Sequence, residues 1–168
     1  VYEVGQTLAI MLPTGREYLF SFFGALLAGL VPVPIYPPAR PSQIEDHLRR
    51  HARILANAAA PVLVTTTEAL PAARLLQAQV PDLRHIVTPD RFPASAAESA
   101  TLPAHPEALA FLQYTSGSTG VPKGVELTHA NLLANIRAMG QAVRAGPDDV
   151  FVSWLPLYHD MGLIGAWL

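Results

Sequence analysis

The stretch Leu109-Ala-Phe-Leu-Gln-Tyr-Thr-Ser-Gly-Ser-Thr-Gly-Val-Pro-Lys-Gly-Val-Glu-Leu-Thr128 decides how the rest of the chain is read. Two apolar runs, Leu109–Tyr114 and Val125–Leu127, flank a polar segment, and each run has the content of a strand. The segment between them carries four hydroxyls (Thr115, Ser116, Ser118 and Thr119) and two glycines (Gly117 and Gly120). It also holds the chain's only lysine, Lys123, between Pro122 and Gly124. Glycines let successive backbone N–H groups turn toward one point, hydroxyls add donors, and Lys123 adds a positive charge, so the loop suits phosphate oxygens. A flexible Ser/Gly/Thr linker has similar composition, but strong apolar strands on both sides argue against one. A P-loop of the NTPase kind needs Gly-Lys followed by Ser or Thr at the start of a helix. Here Lys123 follows a proline and precedes a glycine, and the next element reads as a strand.

Outward from this loop, strand and helix signals alternate. Downstream, Thr128 is placed to cap a helix running to about Ala145, Val150–Trp154 reads as a strand, and Met161 begins a further helix. Upstream, Thr7–Leu12 reads as a strand closed by Pro13, and Thr14 as the N-cap of a helix that ends at Gly29. Val31–Ile35 is the next strand, whose two prolines suggest an edge or a bulge. A stiff loop, Tyr36–Pro41, leads to a capping box at Ser42–Glu45. The helix after it repeats Ile44, Leu48, His51, Ile54, Leu55 and Ala58 on one face. Val62–Thr65 is a strand, Thr67 is expected to cap a helix to about Gln79, and His85–Thr88 is another strand. Residues 89–106, rich in Pro, Ala and Ser, read as a surface loop or linker. The β–α alternation predicts an α/β fold, a layered and largely parallel sheet covered by helices.

Composition excludes several classes. Apolar residues make up 51% and charged residues 14% of 168 residues, enough for a sizeable core and incompatible with a disordered tail. A net charge of −2 leaves no basic footprint for nucleic acid. The absence of cysteine rules out a disulfide scaffold and thiolate metal sites, and is compatible with a cytoplasmic location. Tyr18–Ala39 is uncharged over 22 residues, long enough to span a bilayer, but Pro32, Pro34, Pro37 and Pro38 break its second half. A buried helix followed by a strand is expected there, with no transmembrane segment. The chain opens on Val1 and reaches Leu168 inside an apolar helical pattern, so it is read as a piece of a longer protein, truncated at both ends.

Tyr114–Gly124, followed by Val125-Glu-Leu-Thr-His129, resembles the phosphate loop of the adenylate-forming, AMP-binding enzyme superfamily. Ser153-Trp-Leu-Pro-Leu-Tyr-His-Asp-Met-Gly-Leu-Ile-Gly165 resembles the stretch that lines the acyl end of that family's active site. His-Asp-Met-Gly at 159–162 looks most like the fatty acyl-AMP ligases, as do Ala9–Tyr18 and Val31–Pro38. The resemblance covers essentially the whole chain. It implies the N-terminal part of the large domain of an adenylate-forming enzyme, with the C-terminal domain and its adenylation lysine absent.

The resemblance further implies a ligase that joins a fatty acid to the α-phosphate of ATP, with Mg²⁺, and releases pyrophosphate. The acyl group then passes to the phosphopantetheine thiol of an acyl carrier protein or, in the acyl-CoA synthetases, to CoA. A stand-alone enzyme and a loading module of a polyketide or peptide synthase are both open. An inactive nucleotide-binding module is the alternative from another class. Thr115, Ser116, Gly117, Ser118, Thr119, Gly120 and Lys123 carry over as nucleotide-phosphate contacts, and the 168 residues alone are expected to be inactive.

His159 is the catalytic candidate, placed by the resemblance at the carboxylate end of the acyl pocket, where an imidazole can orient the acid or its oxyanion. The competing reading is a partly buried histidine bonded to a neighbour. Asp160 either fixes its tautomer or caps the following helix. Trp154, Leu155, Tyr158, Met161 and Leu163 are read as core rather than pocket wall. His47 and His51 are read as one helix face and not a metal pair, although their i,i+4 spacing permits one; no metal site is expected.

Overall fold

The computed structural model describes residues 2–38, 42, 44–92, 102–115 and 121–168. Four strands, β1 (Thr7–Met11), β2 (Val31–Pro34), β3 (Val62–Thr65) and β4 (His85–Val87), form one parallel sheet in the order β2-β1-β3-β4. The crossovers are helices α1 (Arg16–Leu27), α2 (Ile44–Asn57) and α3 (Leu70–Gln79). Parallel neighbours need such crossovers, and the helices cover both faces of the sheet. β1 shows this within five residues. Ala9 and Met11 enter a core with Leu55, Leu63, Ala73 and Leu76, while Ile10 and Leu12 enter a second core with Tyr18, Phe22 and Phe111. Each large side chain buried in this way contributes about 1.5–3 kcal/mol.

A second unit is the antiparallel hairpin of β5 (Leu109–Thr115) and β6 (Lys123–Thr128), followed by α4 (His129–Val143). β5 lies against β2, yet the two are not joined by a hydrogen-bond ladder. The reason is in the sequence. Val31 and Ile35 donate their amides to Gln6 and Ile10 on the β1 side. Alternation then turns Pro32 and Pro34 to the other side, where neither has an N–H to give.

Helix ends follow local chemistry. α1 closes with Gly29 at φ 71°, its amide bonded to the Leu26 carbonyl (3.0 Å), and the Leu30 amide reaches the Ala25 carbonyl (2.9 Å). This paired closure, with glycine in the left-handed region, is the expected C-terminal signal. α4 starts on a reciprocal box: Thr128 Oγ1 accepts from the Asn131 amide and Asn131 Oδ1 accepts from the Thr128 amide, both at 3.1 Å.

Three expectations are corrected. Thr14 does not cap α1; Gly15 occupies the N-cap, and the Thr14 hydroxyl accepts instead from the Leu157 amide at 3.0 Å. Thr67 does not cap α3, which begins at Leu70 because Pro71 fits only the first turn; Thr66 Oγ1 closes the preceding turn on the Ala69 amide. Val150–Trp154 is not a strand: its backbone pairs with no strand among the described residues, and Val150, Phe151, Val152 and Trp154 are all exposed.

Pro89–Arg91 makes one 3₁₀ turn and residues 102–108 form neither helix nor strand, while residues 93–101 of the expected loop lie outside the described residues. So do residues 39–41 of the stiff loop and Gln43 within the expected capping box. Among the described residues no helix is long and apolar enough to cross a membrane.

Candidate active site

Thr115 ends β5 and Lys123 begins β6, and the two face each other across the neck of the hairpin. Both are exposed. Ser116, Gly117, Ser118, Thr119 and Gly120, the rest of the expected phosphate loop, lie outside the described residues. The neck is defined by the pair below it, Tyr114 opposite Gly124. A Cβ on Gly124 would lie 3.0 Å from Tyr114 Cζ, so glycine lets the aromatic ring cross the hairpin here without being pushed aside. Burial raises the Tyr114 hydroxyl above its ordinary pKa, which keeps it a donor, and it bonds Asn57 Oδ1 at 2.6 Å.

β5 also holds the second candidate segment. Gln113, buried and adjacent to Tyr114, donates its side-chain amide to the Tyr158 carbonyl at 3.5 Å. The same segment is tied to the β1–α1 loop by Thr14 and Leu157. Gly162 packs against the Pro156 carbonyl so closely that no side chain fits between them. These contacts bend the chain through Leu155–Gly162 and present His159 at the start of the short helix α5 (Asp160–Gly162).

His159 is exposed, with Nδ1 2.6 Å from Asp160 Oδ1. The Met161 amide lies 2.7 Å from Asp160 Oδ1 and 3.3 Å from His159 Nδ1. One ring nitrogen cannot both donate to the carboxylate and accept from the amide. The shorter contacts assign the proton to Nδ1, donating to Asp160, with Asp160 also accepting from Met161. Asp160 therefore holds the His159 ring, but it does not cap the helix: it is the first residue of α5, and the N-cap position falls to His159 itself. Of the nearby apolar residues, Leu163 is fully buried, whereas Trp154 (90% exposed) and Met161 (60%) are not core. A cavity of about 350 Å³ opens beside this segment, between Thr14–Arg16, Leu155, Leu157, Gly162 and Trp167.

His47 and His51 lie elsewhere, inside the α2 face. Their rings stack with centroids 3.9 Å apart, Tyr36 stands edge-on to both, and His51 Nδ1 sits 2.7 Å from the His47 carbonyl. Burial lowers His47 to about 4 and His51 to about 3, the neighbouring His47 adding to the effect on His51.

Sequence reasoning missed Gln113, Asn57 and Thr14 as supports of these segments. A glycine after Lys123 and another after Met161 were the available signals, since each marks a close approach.

A parallel α/β layer carrying a glycine- and hydroxyl-rich hairpin has the make-up of the N-terminal part of an adenylate-forming enzyme. The chain belongs to the AMP-binding enzyme family, whose model matches residues 2–168. It is 38% identical over 172 residues to the long-chain-fatty-acid–AMP ligase FadD32 of Mycolicibacterium smegmatis, covering 100% of this chain and 27% of that protein. It is 34% identical over 160 residues to JamA, a medium-chain-fatty-acid–[acyl-carrier-protein] ligase of Moorena producens, covering 92% of this chain and 27% of that protein. A chain solved in structural and functional studies of fatty acyl-adenylate ligases from E. coli and L. pneumophila superposes with a TM-score of 0.89 at 36% identity. That match covers 98% of this chain and 30% of the solved one. The chain thus spans 27% of the length of both curated relatives.

Proposed function

We propose that the whole protein activates a fatty acid with ATP, forming acyl-AMP and pyrophosphate, and passes the acyl group to the phosphopantetheine thiol of an acyl carrier protein in the cytoplasm. In this reading the chain is the first part of the adenylation domain, residues 89–106 are a surface loop within it, and the adenylation lysine belongs to a C-terminal domain. The observation that carries the reading is the hairpin neck, where the chain's only lysine faces Thr115 across the strands that flank a glycine- and hydroxyl-rich stretch of sequence.

A carboxylate oxygen attacks the α-phosphorus, the bond from that phosphorus to the bridging oxygen breaks, and pyrophosphate leaves. Two anions must meet while negative charge grows on the departing group. Thr115, Ser116, Gly117, Ser118, Thr119, Gly120 and Lys123 supply donors and a cation to the β- and γ-phosphates, stabilising the transition state more than the ground state. ATP enters as its Mg²⁺ complex. His159 orients the acid, its ring held by Asp160. An apolar acyl tunnel would gain about 0.8 kcal/mol per buried methylene, and the relatives' names support a fatty acyl substrate.

The test is fatty-acid-dependent ATP–pyrophosphate exchange by the full-length protein, followed by supply of acyl carrier protein or CoA. Exchange with acylation of the carrier protein is expected. Acylation of CoA alone would move the protein to the acyl-CoA synthetases, and ATP binding without exchange would make it an inactive nucleotide-binding module.

A further inference from the structure

Tyr114 and Asn57 are separated by 57 residues and by the α3 crossover, yet they form one short hydrogen bond, 2.6 Å from the phenol oxygen to Asn57 Oδ1. The Tyr114 ring reaches that point by crossing the face of Gly124, directly behind the Thr115–Lys123 pair. Asn57 is the last residue of α2, and the next carbonyl, of Ala58, accepts from Thr7 Oγ1 at 2.8 Å. The helix end is therefore itself fastened to the first strand of the parallel sheet. The hairpin has no ladder to that sheet, because β2 turns its prolines toward β5. A side-chain link from the neck to α2 thus fixes what the backbone leaves free.

We propose that Tyr114 and Asn57 are positioning residues that set the height and tilt of the hairpin neck, so that Thr115 and Lys123 meet the phosphate tail of the nucleotide. The proposal rests on the reading of the hairpin as a nucleotide site. Neither residue touches the reacting atoms; both act through the Thr115–Lys123 neck. A fault in the link falls on nucleotide use and spares the fatty acid.

The experiment measures pyrophosphate exchange in the full-length protein, with KM resolved separately for ATP and for the fatty acid. Tyr114→Phe keeps the ring over Gly124 and removes the donor. It is expected to raise KM for ATP about three- to tenfold, the range for one lost hydrogen bond, and to leave KM for the fatty acid unchanged. Asn57→Ala should do the same, the double variant should be no worse than either single one, and Asn57→Asp, which keeps an acceptor, should restore ATP use. Lys123→Ala is run beside them. If it leaves exchange unchanged, the nucleotide reading falls and the positioning role with it. If it weakens ATP use while Tyr114→Phe does not, only the positioning role is overturned. That role is likewise overturned if Tyr114→Phe moves both KM values alike, or lowers only the melting temperature.

Discussion

Gly162 and the carbonyl of Pro156 occupy adjoining space with no room for a methyl group between them. The backbone of Gly162 is ordinary helix, φ −78° and ψ −45°, so the requirement for glycine is one of space and not of conformation. Gly162→Ala must push the Leu155–Pro156 backbone away and take His159 with it. Destabilisation of about 1–3 kcal/mol is expected from denaturant unfolding of the full-length protein. Pyrophosphate exchange should fall further than that loss of folded protein explains.

Asp160 holds the imidazole of His159 by one carboxylate oxygen and the Met161 amide by the same atom. Asp160→Asn can still accept from Met161, but its amide no longer favours a proton on Nδ1. A drop in kcat for fatty-acid-dependent exchange of roughly tenfold is expected, with KM for ATP unchanged. His159→Ala should cost at least as much, and adding Asp160→Asn to it should change nothing more. Additive losses in the double variant would show the two residues working separately.

Acid should weaken the fold through the stacked histidines of α2. Burial lowers His47 to about 4 and His51 to about 3, against an unfolded value near 6.5. Between those limits the unfolded chain binds protons that the folded chain refuses, so stability rises with pH across the window. Their contribution is complete above about pH 6.5 and is lost progressively as pH falls toward 4 for His47 and toward 3 for His51. Melting temperature measured from pH 7.5 to 4.5 should show this slope, and His51→Phe should flatten it.

The box at the start of α4 offers a check on stability with little chemistry attached. Thr128→Ala removes the acceptor for the Asn131 amide and should cost about 0.5–2 kcal/mol. Thr128→Ser should recover most of that in the same unfolding measurement.

Much of the fold is legible because apolar runs of five or so residues stand between prolines and glycines. Thr7–Met11, Val62–Thr65 and His85–Val87 fall within a residue of where periodicity puts strands. Gly29 and Thr128 announce helix ends by chemistry that needs no tertiary partner. Val150–Trp154 has the composition of a strand, but a strand exists only against another, and its side chains face solvent. Thr14 shows the opposite failure: its hydroxyl had a local use, and a distant amide at Leu157 claimed it.

The site divides along the same line. The donors of the hairpin are contiguous, so Thr115 and Lys123 can be picked out by eye, and their facing positions follow from the strands on either side. Their supports are not contiguous. Nothing in a helix end at Asn57 points to Tyr114, and nothing in Gln113 points to the carbonyl of Tyr158.

The prolines of β2 leave a seam through the middle of the molecule. On one side, strands are stitched by backbone bonds that resist shear; on the other, a hairpin lies against the stitched sheet with no ladder between them. A load on the neck of that hairpin is therefore carried across the seam by packed side chains and by the Tyr114–Asn57 bond, with no backbone stitch to share it.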